Sequence, residues 1–184
     1  MRGKQAKILS DGNLEDLLLF AETSRHPLRN KVMVLLSAKT GLRAGEIARL
    51  TWAMLTDPTG DIGTVLELPD RAAKKGSGRV IPLHEEVRAA LAAWRSVTQS
   101  AGPVIMSERG GPMTAQSIVV WFGHAYRAVG LDGCSSHSGR RTFITRAARL
   151  AHHAGGSLRD VQLLAGHRYI DGDTDAQRKL VAMI

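Results

Sequence analysis

One cysteine, Cys134, occurs in 184 residues, so no internal disulfide framework holds this chain together, and a reducing compartment suits it. Long apolar runs are also missing. The stretches at 17–21 and 32–36 fall far short of the roughly 20 residues that span a bilayer, and residues 1–10 lack the apolar core of a signal peptide. Neither a membrane partner nor export is expected. The glycines at 76, 78, 110 and 111 precede no Gly-Lys-Ser/Thr sequence, which excludes a phosphate-binding loop of the ATP-driven kind. Cys134, His137, His152 and His153 have the chemistry of zinc ligands but none of the paired short spacings of a zinc module, so no metal is expected. Acidic residues are few: 17 Asp plus Glu face 25 Lys plus Arg, giving +8 and a pI near 10.2. That balance favours a polyanionic partner, with nucleic acid the first candidate and a cytoplasmic, nucleoid-associated location.

What is present patterns as a mainly α chain. Asn13 precedes apolar residues at Leu14, Leu17, Leu18 and Ala21, which predicts an amphipathic helix capped by Asn13. Pro27 suits the first turn of a second helix whose stripe of Leu28, Val32, Leu35 and Leu36 stops at Thr40 and Gly41. A short helix is expected over 43–50, then two β-type runs at 64–68 and 79–83 joined by a flexible, basic hairpin tip around Lys74, Lys75 and Gly76. Helical patterning returns at 85–99, 114–129, 138–154, 157–165 and 173–184, with Ser157 and Asp160 spaced as a capping box. The fold class is therefore α+β, mainly α, with one small antiparallel sheet.

Basic residues crowd two places. Arg71, Lys74, Lys75 and Arg79 lie on the hairpin, and Arg140, Arg141, Arg146 and Arg149 on one predicted helix. Such runs are usually solvated faces; two of them flanking a cleft would track a phosphate backbone. Three short segments add chemistry. Thr40-Gly41-Leu42-Arg43 sets an arginine directly after a helix-ending turn, and Glu46, three residues on, shares a helical face with it. His137 and Arg140 are three apart at a helix entry, where a planar guanidinium and a titratable ring can serve one anion. Leu164-Ala165-Gly166-His167 places a second histidine just past a helix end.

In this order and spacing the segments resemble the tyrosine recombinase, or phage integrase, family. The marks are Thr40-Gly41-Leu42-Arg43 with Glu46, a hairpin lysine before Arg79-Val80-Ile81-Pro82-Leu83, His137-x-x-Arg140 and Leu164-Ala165-Gly166-His167, and they run over nearly the whole chain. The resemblance implies an integrase-like catalytic domain over 1–184, without the helical DNA-clamping domain that usually stands ahead of it. It implies double-stranded DNA as partner, no cofactor, and cleavage and rejoining through a 3′-phosphotyrosyl link. Arg43, Lys74, His137, Arg140, His167 and Tyr169 would be the catalytic set, with Glu46 and Lys75 in support and Arg71, Arg79 and Arg141 on DNA. Lys74 keeps the spacing to the second strand, whereas Lys75 keeps the spacing to the following glycine. Copies would assemble on DNA through the C-terminal segment. A type IB topoisomerase shares much of this chemistry and would relax supercoiled DNA without a specific site.

One departure concerns the nucleophile. Of two tyrosines, Tyr126 shares a helical stripe with Ile118, Phe122 and Val129, the pattern of a core residue. That leaves Tyr169, which stands two residues beyond His167 where the family interposes a turn and part of a helix. Two residues reach at most ~7 Å. A chain that binds DNA as a truncated relic or regulator, without cutting it, is the alternative this spacing raises.

Overall fold

The computed structural model describes residues 6–98, 101–166 and 174–184, apart from the side chains of Lys75 and Thr174. In chain order the elements are α1 (Asp11–Thr23), α2 (Pro27–Thr40), α3 (Ala44–Ala48), β1 (Val65–Leu68), β2 (Arg79–Pro82), α4 (Glu85–Val97), α5 (Ala115–Ala128), α6 (Ser138–Leu150), α7 (Leu158–Leu164) and α8 (Thr174–Ala182). The expected mainly α architecture with one antiparallel pair of strands is what forms. Among the described residues no helix is long and apolar enough to cross a membrane.

Helix ends follow local chemistry, with two corrections. Helix α1 begins a turn earlier than its apolar run suggests. Its cap is Ser10, whose hydroxyl accepts the Asn13 N–H at 3.1 Å while Asn13 Oδ1 accepts the Ser10 N–H at 3.2 Å. Asn13 therefore closes the capping box from inside the helix. Helix α6 stops at Leu150 rather than continuing to 154, and the Gly156 N–H turns back to the Ala151 carbonyl at 2.8 Å. The capping box of Ser157 and Asp160 forms as spaced.

Helix α2 is the axis. It packs against α1, α4 and α6, and is buried from Val32 to Thr40. It ends where Gly41 adopts φ +67°, a conformation that favours glycine, and a Cβ there would stand 2.5 Å from the Phe143 ring of α6. A similar approach occurs in the first turn of α6, where a Cβ on Gly139 would lie 2.3 Å from Ser37 Oγ. These two glycines let α6 lie directly on α2. Arg140 is thereby brought beside the α2–α3 turn that carries Arg43, where its guanidinium meets the Gly41 carbonyl.

The strands pair Leu66 with Ile81 and Leu68 with Arg79. Leu66, Leu68 and Ile81 are buried and Val80 is exposed, so the alternation of the strand turns Arg79 toward the interior. The hairpin tip is a hydrogen-bonded 3₁₀ turn, Lys74–Gly76, rather than a loose loop. Ser77 Oγ donates to the Lys74 carbonyl at 2.8 Å, and the Gly78 N–H donates to Asp70 Oδ1 at 2.8 Å. Helix α8 buries Ala176, Leu180 and Val181 against its own chain, touching α6, α7 and β2, and Ile184 just beyond it is buried as well.

Replacing Gly41 by Ala adds a left-handed backbone cost of about 1–2 kcal/mol to an overpacking cost of about 1–3 kcal/mol. Urea unfolding should show a loss within that summed range. Gly12, where an added Cβ would meet nothing within 4 Å, serves as control, and Gly12→Ala should be neutral or slightly stabilising.

Candidate active site

Arg43 has extended backbone at the N-cap of α3, and Glu46 in the first turn holds it by two bonds. The Arg43 N–H donates to Glu46 Oε2 at 2.9 Å, and Arg43 Nη1 donates to Oε1 at 2.9 Å. The pairing that three-residue spacing suggests is thus made. The same carboxylate is also forked by Arg79, whose Nη1 and Nη2 donate to Oε1 and Oε2 at 3.2 and 3.1 Å. Glu46 is fully buried and accepts four hydrogen bonds from two arginines.

Burial alone would raise the Glu46 pKa, but the Arg79 hydrogen bonds and charge, helped by the Arg43 N–H and charge, hold it at about 2. Arg140 is shifted for related reasons. Burial first, then the nearby charges of Arg43 and Arg79, lower its pKa to about 10, against the opposing pull of Glu46. It still carries its charge at neutral pH. Its guanidinium is fixed by two carbonyls: Nη1 donates to Gly41 and Nη2 to Ala165, both at 2.6 Å. Three guanidiniums and one carboxylate therefore meet where α2 ends, α3 begins and α7 ends. The formal sum is +2, the sign and donor geometry that can meet an oxyanion.

His137 is exposed at the N-cap of α6, one turn before Arg140. Lys74 and Arg71 are exposed on the hairpin. Lys75 is on the same turn, with its side chain outside the described atoms, and His167 and Tyr169 lie outside the described residues. Tyr126 is a core residue, 1% exposed and stacked on Phe122 at 5.9 Å, with burial raising its hydroxyl above the usual tyrosine range.

Two expected DNA-facing arginines are engaged internally. Arg79 turns inward, with 5% of its side chain exposed, and its Nε donates to the Leu164 carbonyl at 2.9 Å. Arg141 is half-buried and donates to the Ala6 carbonyl at 2.7 Å. The basic residues of α6 do not form one face. Arg140 points into the site, Arg146 pairs with Asp11 at 2.6 Å, and Arg149 is exposed, as a helix advancing 100° per residue requires.

Sequence reasoning misses the structural use of Arg79, although a signal is there. Arg79, Ile81 and Leu83 alternate on one face of the strand run, so the arginine belongs with the apolar side. Gly166 is also more than a helix stop. It has φ +72°, and a Cβ there would lie 2.9 Å from Arg79 Nη1.

Comparison with known proteins agrees with this fold. The family model described as phage integrase family matches residues 7–172. The tyrosine recombinase XerC of Methylobacterium nodulans is 30% identical over 144 residues, covering 76% of this chain and 42% of that protein. The crystal structure of XerA recombinase superposes with a TM-score of 0.69 at 21% identity, over 96% of this chain and 60% of that one. The Tn1549 transposon integrase in complex with a circular intermediate DNA gives 0.69 at 22% identity, over 90% and 59%. A lambda integrase dimer bound to a COC′ core site gives 0.69 at 22%, over 92% and 60%. This chain thus spans less than half of the curated relative and about three fifths of the solved ones.

Because Glu46 is held below its ordinary pKa of 4.5 at about 2, its stabilising effect is complete above pH 4.5 and is lost as pH falls toward 2. Glu46→Gln should cost roughly 3–5 kcal/mol at pH 7, since it leaves the buried Arg79 without its counter-charge. Unfolding measured across pH should show a steep acid decline in the wild type and a flattened one in this variant.

Proposed function

Because the chain belongs to the phage integrase family, we propose that its arginine cluster binds a scissile phosphate of double-stranded DNA and that the chain cuts and rejoins that strand as a site-specific recombinase. The observation that carries this reading is the fixed pair Arg43 and Arg140, the first held by Glu46 and the second by the Gly41 and Ala165 carbonyls.

The Tyr169 hydroxyl attacks phosphorus, the bond to the 5′ oxygen breaks, and a 3′-phosphotyrosyl link forms. Attack spreads extra negative charge over the non-bridging oxygens. Arg43 and Arg140 meet it with charge already in place, as metal ions do in other phosphoryl-transfer sites. Lys74 gives a proton to the departing 5′ oxygen, general acid catalysis worth ~10²–10⁴-fold. Lys75 supports the same turn. His137 and His167 donate to the phosphate or take the tyrosine proton. The 5′-hydroxyl of another strand then attacks the link and releases Tyr169, so bond energy is conserved and no ATP is consumed. Arg71, exposed beside the hairpin, contacts the backbone. Joined copies on DNA would exchange α8, whose apolar face packs on its own chain in the isolated molecule, and the work would take place at the nucleoid.

The two-residue step from His167 to Tyr169 favours a second reading, in which the pocket occupies DNA without cutting. A nicked duplex that traps the covalent intermediate separates the two on a denaturing gel. The expected result is a protein–DNA adduct that Tyr169→Phe abolishes. Duplex retention with no adduct from the wild type supports the binding-only reading. In either case the logarithm of affinity should fall linearly with the logarithm of salt concentration, by about 0.9 per phosphate neutralised.

A further inference from the structure

Arg79 touches three parts of the site at once. Its fork grips Glu46, and through that carboxylate it fixes Arg43. Its Nε donates to the Leu164 carbonyl at 2.9 Å, one residue before the Ala165 carbonyl that Arg140 holds. Its Nη1 reaches the Ser77 carbonyl at 3.4 Å, and Ser77 Oγ closes the turn of Lys74 at 2.8 Å. Gly166 then crosses the guanidinium so closely that no side chain fits between them.

We propose that Arg79 is a positioning residue of the strand-cutting site, setting Arg43, the Lys74 turn and the Gly166 turn in register while touching no DNA itself. Its near-complete burial keeps it from a duplex. The role needs a planar fork with a third donor at its side. Lysine supplies the same charge from a single point and cannot satisfy Glu46 and Leu164 together. This role rests on the strand-cutting reading above, because displacing a preorganised cation by about 1 Å can cost about 10²-fold in rate while leaving ground-state affinity nearly intact.

The test compares the wild type with Arg79→Lys on the nicked duplex, together with NMR of ¹⁵N-labelled arginine side chains. At saturating DNA, Arg79→Lys should form adduct about tenfold or more slowly, with duplex affinity within about twofold. The Arg43 guanidinium signals should be separate and slow to exchange in the wild type and should merge in the variant. Affinity falling in step with rate while the Arg43 signals stay unchanged would overturn the proposal, as would no change in any of these. If the wild type forms no adduct, the strand-cutting reading fails, and the Arg43 signals still decide whether Arg79 holds that residue. If Arg79→Lys does not fold, titrating the wild type with duplex takes its place. The Arg43 Nε signal should shift and the Arg79 Nε signal should stay, and an Arg79 shift as large as that of Arg43 would refute it.

Discussion

Four hydrogen bonds converge on one buried carboxylate, and the site is arranged around them. Glu46 is fully removed from solvent, and a lone carboxylate in that position would be strongly disfavoured. The fork of Arg79, with the guanidinium and backbone N–H of Arg43, compensates it. The exchange is mutual, because Arg79, almost as deeply buried, needs a counter-charge of its own. One negative group thus allows two guanidiniums to sit close to Arg140. Without it, three like charges would repel across a shared interior.

The helical scaffold delivers those groups by close approach rather than by bulk. Helix α2 ends at Gly41, whose carbonyl is an anchor for Arg140 and whose missing Cβ leaves room for Phe143. Gly139 removes the next obstacle, beside Ser37. The backbone carbonyls that close α2 and α7 are spare acceptors at helix ends, and arginines use three of them in succession: Gly41, Leu164 and Ala165. Helix termini that need donors and buried guanidiniums that need acceptors satisfy each other here.

Much of this is legible in the chain. The helices follow apolar periodicity and punctuation by Pro27, Gly41 and Ser157, because those signals act within a turn or two of where they stand. Arg43, Glu46, His137 and Arg140 are identifiable because each lies in a short segment whose spacing already places two groups on one helix entry. Where sequence misleads, a local signal is outweighed. Asn13 has the chemistry of a cap, but Ser10, three residues earlier, takes that position and Asn13 bonds back to it. The four arginines of α6 look like one basic face in the sequence, yet the helical rotation disperses them into the site, toward Asp11 and outward.

The arginine cluster with which the +8 charge is first associated has both kinds of origin. Sequence alone determined that Arg43 with Glu46 and His137 with Arg140 stand three apart at two helix entries, since covalent neighbours and helical pitch dictate those relations. Only the tertiary structure decided that Arg79 serves Glu46 rather than solvent, and that the end of α7 is tied to β2 and α6. Those contacts join residues 33, 85 and 25 positions apart. Their existence depends on which faces pack together, and no local pattern of residues carries that information.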